Sequence, residues 1–299
     1  MTNNLTPDSA CRTFFSNDIH FASFSNAILF DGKQVIHPER LVRYENDTSF
    51  IINDTKSVED EKRRRDIVVK TDIGGIYCLF SIEHQSSIDQ EMVIRCGNYE
   101  MVEYLKQLKN KKLKRLVPQV MIVFYTGDKK WNAPVKLSDY LDVPKELKAY
   151  VNEWRFIFID VKEIDTSKIK DAQTRYFIEA IQNMYKGNYD KLHRRIKMNR
   201  NNFIYAAIIT GSIDLIKDLP EGDEIDMCEG MERMAEGFRS EGKLEEKRST
   251  LKEQLIIKLG AVSSRLEEQL TNASLEKLNV LTRNIFDITS EEDVLRIIH

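Results

Sequence analysis

Four stretches of the chain carry the long apolar runs that are typical of β-strands. They are "DIVVKT" (66–71), "IYCLFSIEHQ" (76–85), "LVPQVMIVFYTGD" (116–128) and "WRFIFIDV" (154–161). β-Branched and aromatic residues favour strands, and the third run is apolar enough for a strand that is buried on both faces. A shorter candidate, "TSFIIN" (48–53), precedes them. The pattern predicts a central mixed sheet of at least four strands.

Between and after these runs, apolar residues recur every three or four positions, which predicts helices that flank the sheet. The predicted helices cover residues 7–30, 86–112, 172–186, 190–200 and 201–217, with charged helices beyond Pro220. Glycines in those last helices argue against an uninterrupted coiled coil there. We therefore predict an α/β domain over residues 1–219 and a helical C-terminal module over residues 220–299.

Charge differs between the two predicted parts. Residues 220–299 hold 18 acidic and 11 basic residues, whereas the chain before them is mildly basic. This balance fits an anion-binding domain followed by an acidic solubilising or regulatory module. An uneven surface charge without a function is the alternative.

The composition is that of an ordinary globular protein. Of 299 residues, 41% are hydrophobic and 31% are charged, and no apolar run approaches the ~20 residues that span a bilayer. The four cysteines lie far apart without a zinc-binding spacing, which favours a reducing compartment. The N-terminal "MTNNLTPDSA" lacks the basic and apolar regions of a signal peptide. We therefore expect a cytoplasmic protein that does not enter the membrane.

A glycine pair sets the expected register between the first two strands. Gly-Gly at 74–75 favours a two-residue hairpin loop, and with that loop Asp66 falls opposite Glu83. Gln85 lies two residues further on and therefore on the same face, whereas His84 points the other way. A longer loop would shift this pairing by two or more residues.

Two carboxylates held this close repel each other unless a positive charge lies between them. Mg²⁺ prefers oxygen ligands, commonly one or two carboxylates together with water and substrate phosphate. A bound divalent metal also lowers the pKa of water and neutralises charge on a phosphate. The spacing therefore indicates that Asp66 and Glu83 bind a metal for phosphodiester hydrolysis. The alternative is that two strand ends simply reach solvent and carry surface carboxylates.

These residues resemble the PD-(D/E)XK phosphodiesterase core, in which a strand-end Asp precedes a strand that ends in Glu-x-Lys. Over residues 7–165, the chain is more narrowly similar to the Rpn (recombination-promoting nuclease) family, which is transposase-like. The similarity rests on "EHQS" (83–86), on Arg95 and Tyr99 in the following helix, and on Phe124, Tyr125 and Gly127 at the end of the third strand. The helical tail also resembles C-terminal modules found in such proteins.

The resemblance implies a restriction-endonuclease-like core and a metal-dependent DNA endonuclease linked to recombination. Asp66 and Glu83 would bind Mg²⁺, or Mn²⁺ or Ca²⁺ in its place, and the backbone carbonyl of His84 would add a ligand. Gln85 stands where the superfamily usually has Lys, as it does in other Rpn proteins. A carboxamide can orient water or a phosphate oxygen by hydrogen bonds, but it supplies no charge.

Three further residues would assist this site. Asp8 corresponds to a carboxylate that the superfamily often carries on an N-terminal helix, and Arg95 and Tyr99 match the family's helix pair. Where relatives often have Phe and then Lys in the N-terminal helix, this chain has Cys11 and Arg12, so a cationic group is kept. The side chain of His84 is predicted to be a packed or hydrogen-bonded strand histidine.

Basic segments predict a surface for DNA, the expected partner, bound largely without sequence specificity. The candidate contacts are Arg63, Arg64, Arg65, Lys111, Lys112, Arg194 and Arg195. The alternative for each segment is a solvated helix face or loop, and a homodimer is an open alternative to a monomer. A rival function for the whole chain is a DNA-binding or protein-assembly module of the same fold that cleaves weakly or not at all.

Overall fold

The computed structural model describes residues 5–44, 66–110, 113–217 and 219–298. The chain divides into two compact units, Met1–Glu229 and Gly230–His299. The first contains the β-strands and the second is helical. The division into domains between residues 219 and 220 stays a prediction.

Five strands in the described part of the chain form the central sheet. They are β1 (Val42–Arg43), β2 (Ile67–Ile73), β3 (Ile76–Gln85), β4 (Gln119–Tyr125) and β5 (Ile157–Asp160), and they lie side by side in that order. The pairs β1–β2 and β2–β3 are antiparallel, whereas the pairs β3–β4 and β4–β5 are parallel. The prediction of an α/β core with a mixed sheet of at least four strands is confirmed. The candidate "TSFIIN" lies outside the described residues.

Different helices cover the two faces of this sheet, because successive side chains of a strand point to opposite faces. In the first unit the helices are α1 (Pro7–Phe15), α2 (Asp18–Phe30), α3 (Met92–Lys109), α4 (Leu137–Tyr140), α5 (Ala172–Tyr185) and α6 (Arg200–Thr210). Met121 and Val123 of β4 share a buried cluster with residues of α3. Phe124 instead contacts the rings of Phe15 and Phe24, from α1 and α2. In the paired register of β3, Glu83 therefore faces α3, and His84 faces α1 and α2.

The single helix predicted over residues 7–30 is wrong, because the chain forms two helices there. Asn17 lies between α1 and α2, and its Oδ1 accepts hydrogen bonds from the backbone N–H groups of Ile19 and His20. Asn is among the best residues at a helix N-cap, because its side chain satisfies N–H groups that have no partner within the helix. Apolar periodicity continues across such a cap and does not reveal it.

The helix predicted over residues 190–200 is also wrong. A short 3₁₀ turn at Tyr189–Leu192 is followed by β6 (Lys197–Asn199), which pairs antiparallel with β7 (Glu224–Asp226). Asn199 then caps α6 with its side chain. The helix predicted over residues 201–217 is shorter than expected, because α6 ends at Gly211 in a left-handed conformation that glycine adopts readily.

The helical C-terminal region is confirmed. It consists of α7 (Met227–Leu259), α8 (Ser264–Asn272), α9 (Leu275–Arg283) and α10 (Glu291–Ile298). Leucines at helical spacing, such as Leu251 and Leu255 of α7, pack against buried apolar residues of the three shorter helices. No described helix of either unit is long and apolar enough to cross a bilayer.

Candidate active site

The hairpin between β2 and β3 has the register that its glycine pair predicts. Gly74 and Gly75 both have positive φ angles, +61° and +84°, and Ile73 pairs with Ile76 across the turn. The pairing continues residue by residue to the base of the hairpin at Ile67. This register brings the residue before β2 beside the end of β3, so the geometric prediction is confirmed.

Asp66 and Glu83 meet at that base. The backbone N–H of Asp66 donates to Oε1 of Glu83 over 3.3 Å, and Oδ2 of Asp66 accepts from the backbone N–H of His84 at 2.8 Å. Only 1% of the surface of Glu83 is exposed, and the side chain of Asp66 is 16% exposed. This low exposure argues against the alternative interpretation, in which both are surface carboxylates. Because burial of a charged group is costly, such carboxylates need compensating contacts.

Gln85 extends the same face of β3. Glu83 pairs with Val123 and Gln85 with Tyr125, so both side chains are on the side of α3. The backbone carbonyl of Gln85 accepts the N–H of Thr126 at 2.9 Å, which continues the parallel ladder beyond β4. Gln85 is half-buried, and its carboxamide makes no hydrogen bond to a described residue, which leaves it available to a ligand.

His84 points to the opposite face, as predicted, and its ring is held from both sides. Nδ1 lies 2.7 Å from Oδ1 of Asp8, and Nε2 lies 2.7 Å from Oγ1 of Thr126. The hydrogen bond from His84 lowers the pKa of Asp8, and burial only partly opposes this effect. Asp8 is therefore an ionised carboxylate that accepts a hydrogen bond from the Nδ1–H group of His84. The side chain of His84 is 1% exposed, which confirms a buried, hydrogen-bonded histidine.

Helix α1 approaches the carboxylates through two residues on one of its faces. Asp8 and Arg12 are one helical turn apart, and Nη2 of Arg12 donates to Oδ1 of Asp66 at 3.1 Å. Cys11 between them is fully buried, and burial raises the pKa of its thiol well above the usual value, so it remains protonated. Cys11 therefore takes a packing position, while Arg12 reaches the site.

Helix α3 brings Arg95 and Tyr99 to the other side of the site. Burial lowers the pKa of Arg95, but hydrogen bonds to Asp89 and Tyr99 outweigh burial and raise it. Burial raises the pKa of Tyr99, and the negative charge of Glu83 raises it further. Tyr99 is thus a protonated hydroxyl near Glu83, and Arg95 is a cation already bound to Asp89.

The donor set at this place suits a hard divalent cation. Asp66 and Glu83 offer carboxylate oxygens, and Gln85 offers a carboxamide oxygen, which are ligands that Mg²⁺ accepts. The described residues contain no cluster of three or more His, Cys, Asp and Glu side chains that could hold a metal. An ion here would therefore need backbone, water or phosphate oxygens in addition to the two carboxylates.

The candidate DNA contacts are distributed unevenly. Arg63, Arg64, Arg65, Lys111 and Lys112 lie outside the described residues. Arg194 is paired with Glu179 at 2.6 Å and has its guanidinium near the ring of Tyr176. Arg195 is exposed. Among the candidates that the structure describes, Arg195 is therefore the one whose charge is exposed to solvent without a nearby partner.

Sequence reasoning missed Thr126, and it named Arg12 only as the cationic group of the N-terminal helix, without its contact with Asp66. The contact of Arg12 with Asp66 joins residues 54 positions apart, and Thr126 meets His84 across a parallel strand pair. The four-residue spacing of Asp8 and Arg12 was the available signal for the first contact. The second depends on the order of strands in the sheet, for which the sequence carries no local signal.

Comparison with known proteins identifies a family. A family model described as "Putative transposase, YhgA-like" matches residues 46–203, which include the β2–β3 hairpin and α3. No curated protein and no solved structure matches the chain. Because the matching region spans more than half of the chain and includes the two carboxylates, the protein belongs to this YhgA-like transposase family, the Rpn family of the PD-(D/E)XK superfamily.

Proposed function

We propose that the protein hydrolyses DNA phosphodiester bonds with a divalent metal ion, Mg²⁺ first, bound by Asp66 and Glu83. The observation that carries the proposal is the pair itself: a buried glutamate and a nearly buried aspartate side by side at the ends of two strands. Two negative charges at one place are stabilised by a cation, and membership of a transposase family makes DNA the substrate of choice.

Each residue has a defined part in this reaction. Asp66 and Glu83 hold the ion, with the backbone carbonyl of His84 as a third protein ligand. The metal, when bound, lowers the pKa of a water molecule and neutralises charge on the phosphate. Gln85 orients that water or a phosphate oxygen with its carboxamide.

Residues on the two neighbouring helices position this group. Tyr99 supports Glu83 from α3, and Arg95 keeps α3 in place through Asp89. Asp8 fixes the ring of His84 from α1. Exposed lysines and arginines hold the phosphate backbone of DNA, which gives affinity without sequence preference.

Nicking of supercoiled DNA tests the proposal. Wild type should convert supercoiled plasmid to the open circle with Mg²⁺ or Mn²⁺ and stop on addition of EDTA. Asp66→Ala should lose the activity, because it removes a metal ligand. Asp142→Ala is the matched control, since Asp142 is an exposed carboxylate elsewhere on the first unit.

Two results would contradict the proposal. Equal nicking by wild type and Asp66→Ala would point to a contaminating nuclease or to another site. If the protein binds DNA but nicks it in none of Mg²⁺, Mn²⁺ and Ca²⁺, the result would favour the rival function, a DNA-binding or assembly module of the same fold.

A further inference from the structure

We infer that Arg12 is the phosphate-binding cation of this site, and that it pairs with Asp66 only until a metal ion takes its place. The inference rests on the proposed function, because it assigns a role within the same reaction. Arg12 thus acts in two states: as the counter-ion of Asp66 without metal, and as a ligand of the substrate phosphate with metal.

The site needs a cation that position 85 does not supply. Gln85 carries no charge, so it cannot neutralise a phosphate as a lysine at that position would. Arg95 does not fill this need, since its guanidinium is bound to Asp89 and Tyr99. Arg12, by contrast, is a cation in direct contact with a proposed metal ligand, Asp66.

The contact that Arg12 makes is one that a metal ion would replace. Its Nη2 lies 3.1 Å from Oδ1 of Asp66, while Oδ2 of that carboxylate is held by the backbone N–H of His84. Oδ1 is therefore the oxygen that an incoming ion can take with the least rearrangement. A displaced guanidinium would be next to the ion, where a phosphate oxygen of the substrate would bind.

The side chain of Arg12 is exposed enough for this change, whereas its helix is held against the sheet. The side chain is 58% exposed, and Asp66 is its hydrogen-bond partner within the described residues. Helix α1 is attached to β3 one turn earlier, where Asp8 contacts the buried ring of His84, which is itself held by Thr126. Only the flexible part of Arg12 needs to move, over the few ångströms between a carboxylate and a bound phosphate.

Two binding measurements on Arg12→Gln test the inference, because the affinity for metal should rise while the affinity for DNA falls. Without DNA, the variant should bind Mn²⁺ about tenfold more tightly than wild type, because one competing charge-assisted hydrogen bond is gone. This affinity is measured by electron paramagnetic resonance of free Mn²⁺. With Ca²⁺ present, the variant should bind a short DNA duplex more weakly, and its slope of log K against log salt should be shallower by about 0.9, the value of one lost phosphate contact.

The controls separate a local role from damage to the fold. Arg43→Gln removes another arginine that is paired with an aspartate, Asp18, and it should change neither measurement. Arg12→Lys keeps a positive charge and should restore most of the DNA affinity. Circular dichroism melting of each variant shows that the compared proteins are folded.

The outcomes are distinct. Unchanged or weaker Mn²⁺ binding by Arg12→Gln overturns the inference, and so does DNA binding with an unaltered salt slope. If both shifts occur but wild type nicks DNA in none of the metal ions, the proposed function is wrong, whereas the exchange of Arg12 between Asp66 and phosphate stands.

Discussion

The carboxylate of Asp66 accepts a hydrogen bond on each of its oxygen atoms, from Arg12 on one side and from the backbone of His84 on the other. The contact with the backbone of His84 sets its orientation before any ligand arrives, whereas the contact with Arg12 occupies the oxygen that a metal ion would take. Ligands that are held by neighbouring groups lose less entropy when a metal binds, and such neighbours commonly change affinity by 10- to 100-fold. The buried ring of His84 belongs to this support, although it faces away from the carboxylates.

Replacement of Thr126 by valine tests the importance of that ring. Thr126→Val removes the hydroxyl at 2.7 Å from Nε2 of His84 and leaves a buried nitrogen without this partner. We expect a loss of about 1–3 kcal/mol in the free energy of unfolding, which is the range for an unsatisfied buried polar group. Urea denaturation measures it. Thr126→Ser keeps the hydroxyl and should cost less, and equal losses for both variants would contradict the account.

The local pattern predicts some side-chain contacts and not others. Alternation along β3 and the glycine turn were enough to bring Asp66, Glu83 and Gln85 together, because both rules act over a few residues. The contacts of Arg12 and Asp8 bridge 54 and 76 residues and depend on how α1 docks on the sheet. Nothing in the periodicity of α1 specifies that docking.

Helix α3 contains a glycine for a steric reason that a substitution can expose. A Cβ atom at Gly97 would lie 2.4 Å from Cε3 of Trp154, whereas one at Gly242 of α7 would meet nothing within 4 Å. Gly97→Ala should therefore destabilise the protein by about 1–3 kcal/mol, despite the better helix propensity of alanine.

Gly242→Ala is the matched control for this substitution. It should stabilise the protein by about 0.5–1 kcal/mol, since alanine loses less conformational entropy than glycine in a helix. Thermal unfolding of both variants measures the difference. Stabilisation by Gly97→Ala would show that Trp154 does not pack on α3 as described.

The start of α10 is stabilised by a carboxylate with an altered pKa. Hydrogen bonds from Thr289 and Ser290 lower the pKa of Asp293 from 3.8 to about 2. Its contribution to stability should therefore be complete above pH 3.8 and be lost as the pH falls from there towards 2. A carboxyl ¹³C titration by NMR should give a midpoint near 2, and a midpoint near 3.8 would contradict these hydrogen bonds.

The extent of a strand or helix was predictable where apolar residues alternate or recur every three or four positions. It was less predictable at helix caps. β2, β3 and α5 begin and end close to the predicted residues. The break at Asn17 was missed because it depends on hydrogen bonds that the asparagine side chain accepts from backbone N–H groups. The strand at Lys197–Asn199 was missed because it depends on pairing with a partner strand. Their apolar spacing alone fits a continuous helix.

In the central sheet, the site lies where parallel strands end. β3 and β4 run side by side in the same direction, so their C-terminal ends share one edge, a common location for ligand sites in α/β sheets. The mixed α/β class follows from the runs of the sequence, since the strand runs are separated by long connections of the kind that parallel strands need, most of which have a helical pattern. The order of the five strands does not, because several orders bury the same residues equally well.

The measurement that tests the central claim most directly is single-turnover nicking of supercoiled DNA by Glu83→Gln. Glutamine keeps the size of the buried side chain and removes its charge, so the variant isolates the charge that a metal requires. We expect a rate at least about 100-fold below wild type with Mg²⁺ and with Mn²⁺, roughly 2.7 kcal/mol in activation free energy. The control Glu146→Gln, at an exposed carboxylate, should nick like wild type. Nicking by Glu83→Gln at the wild-type rate would contradict the assignment of this carboxylate pair as the catalytic site.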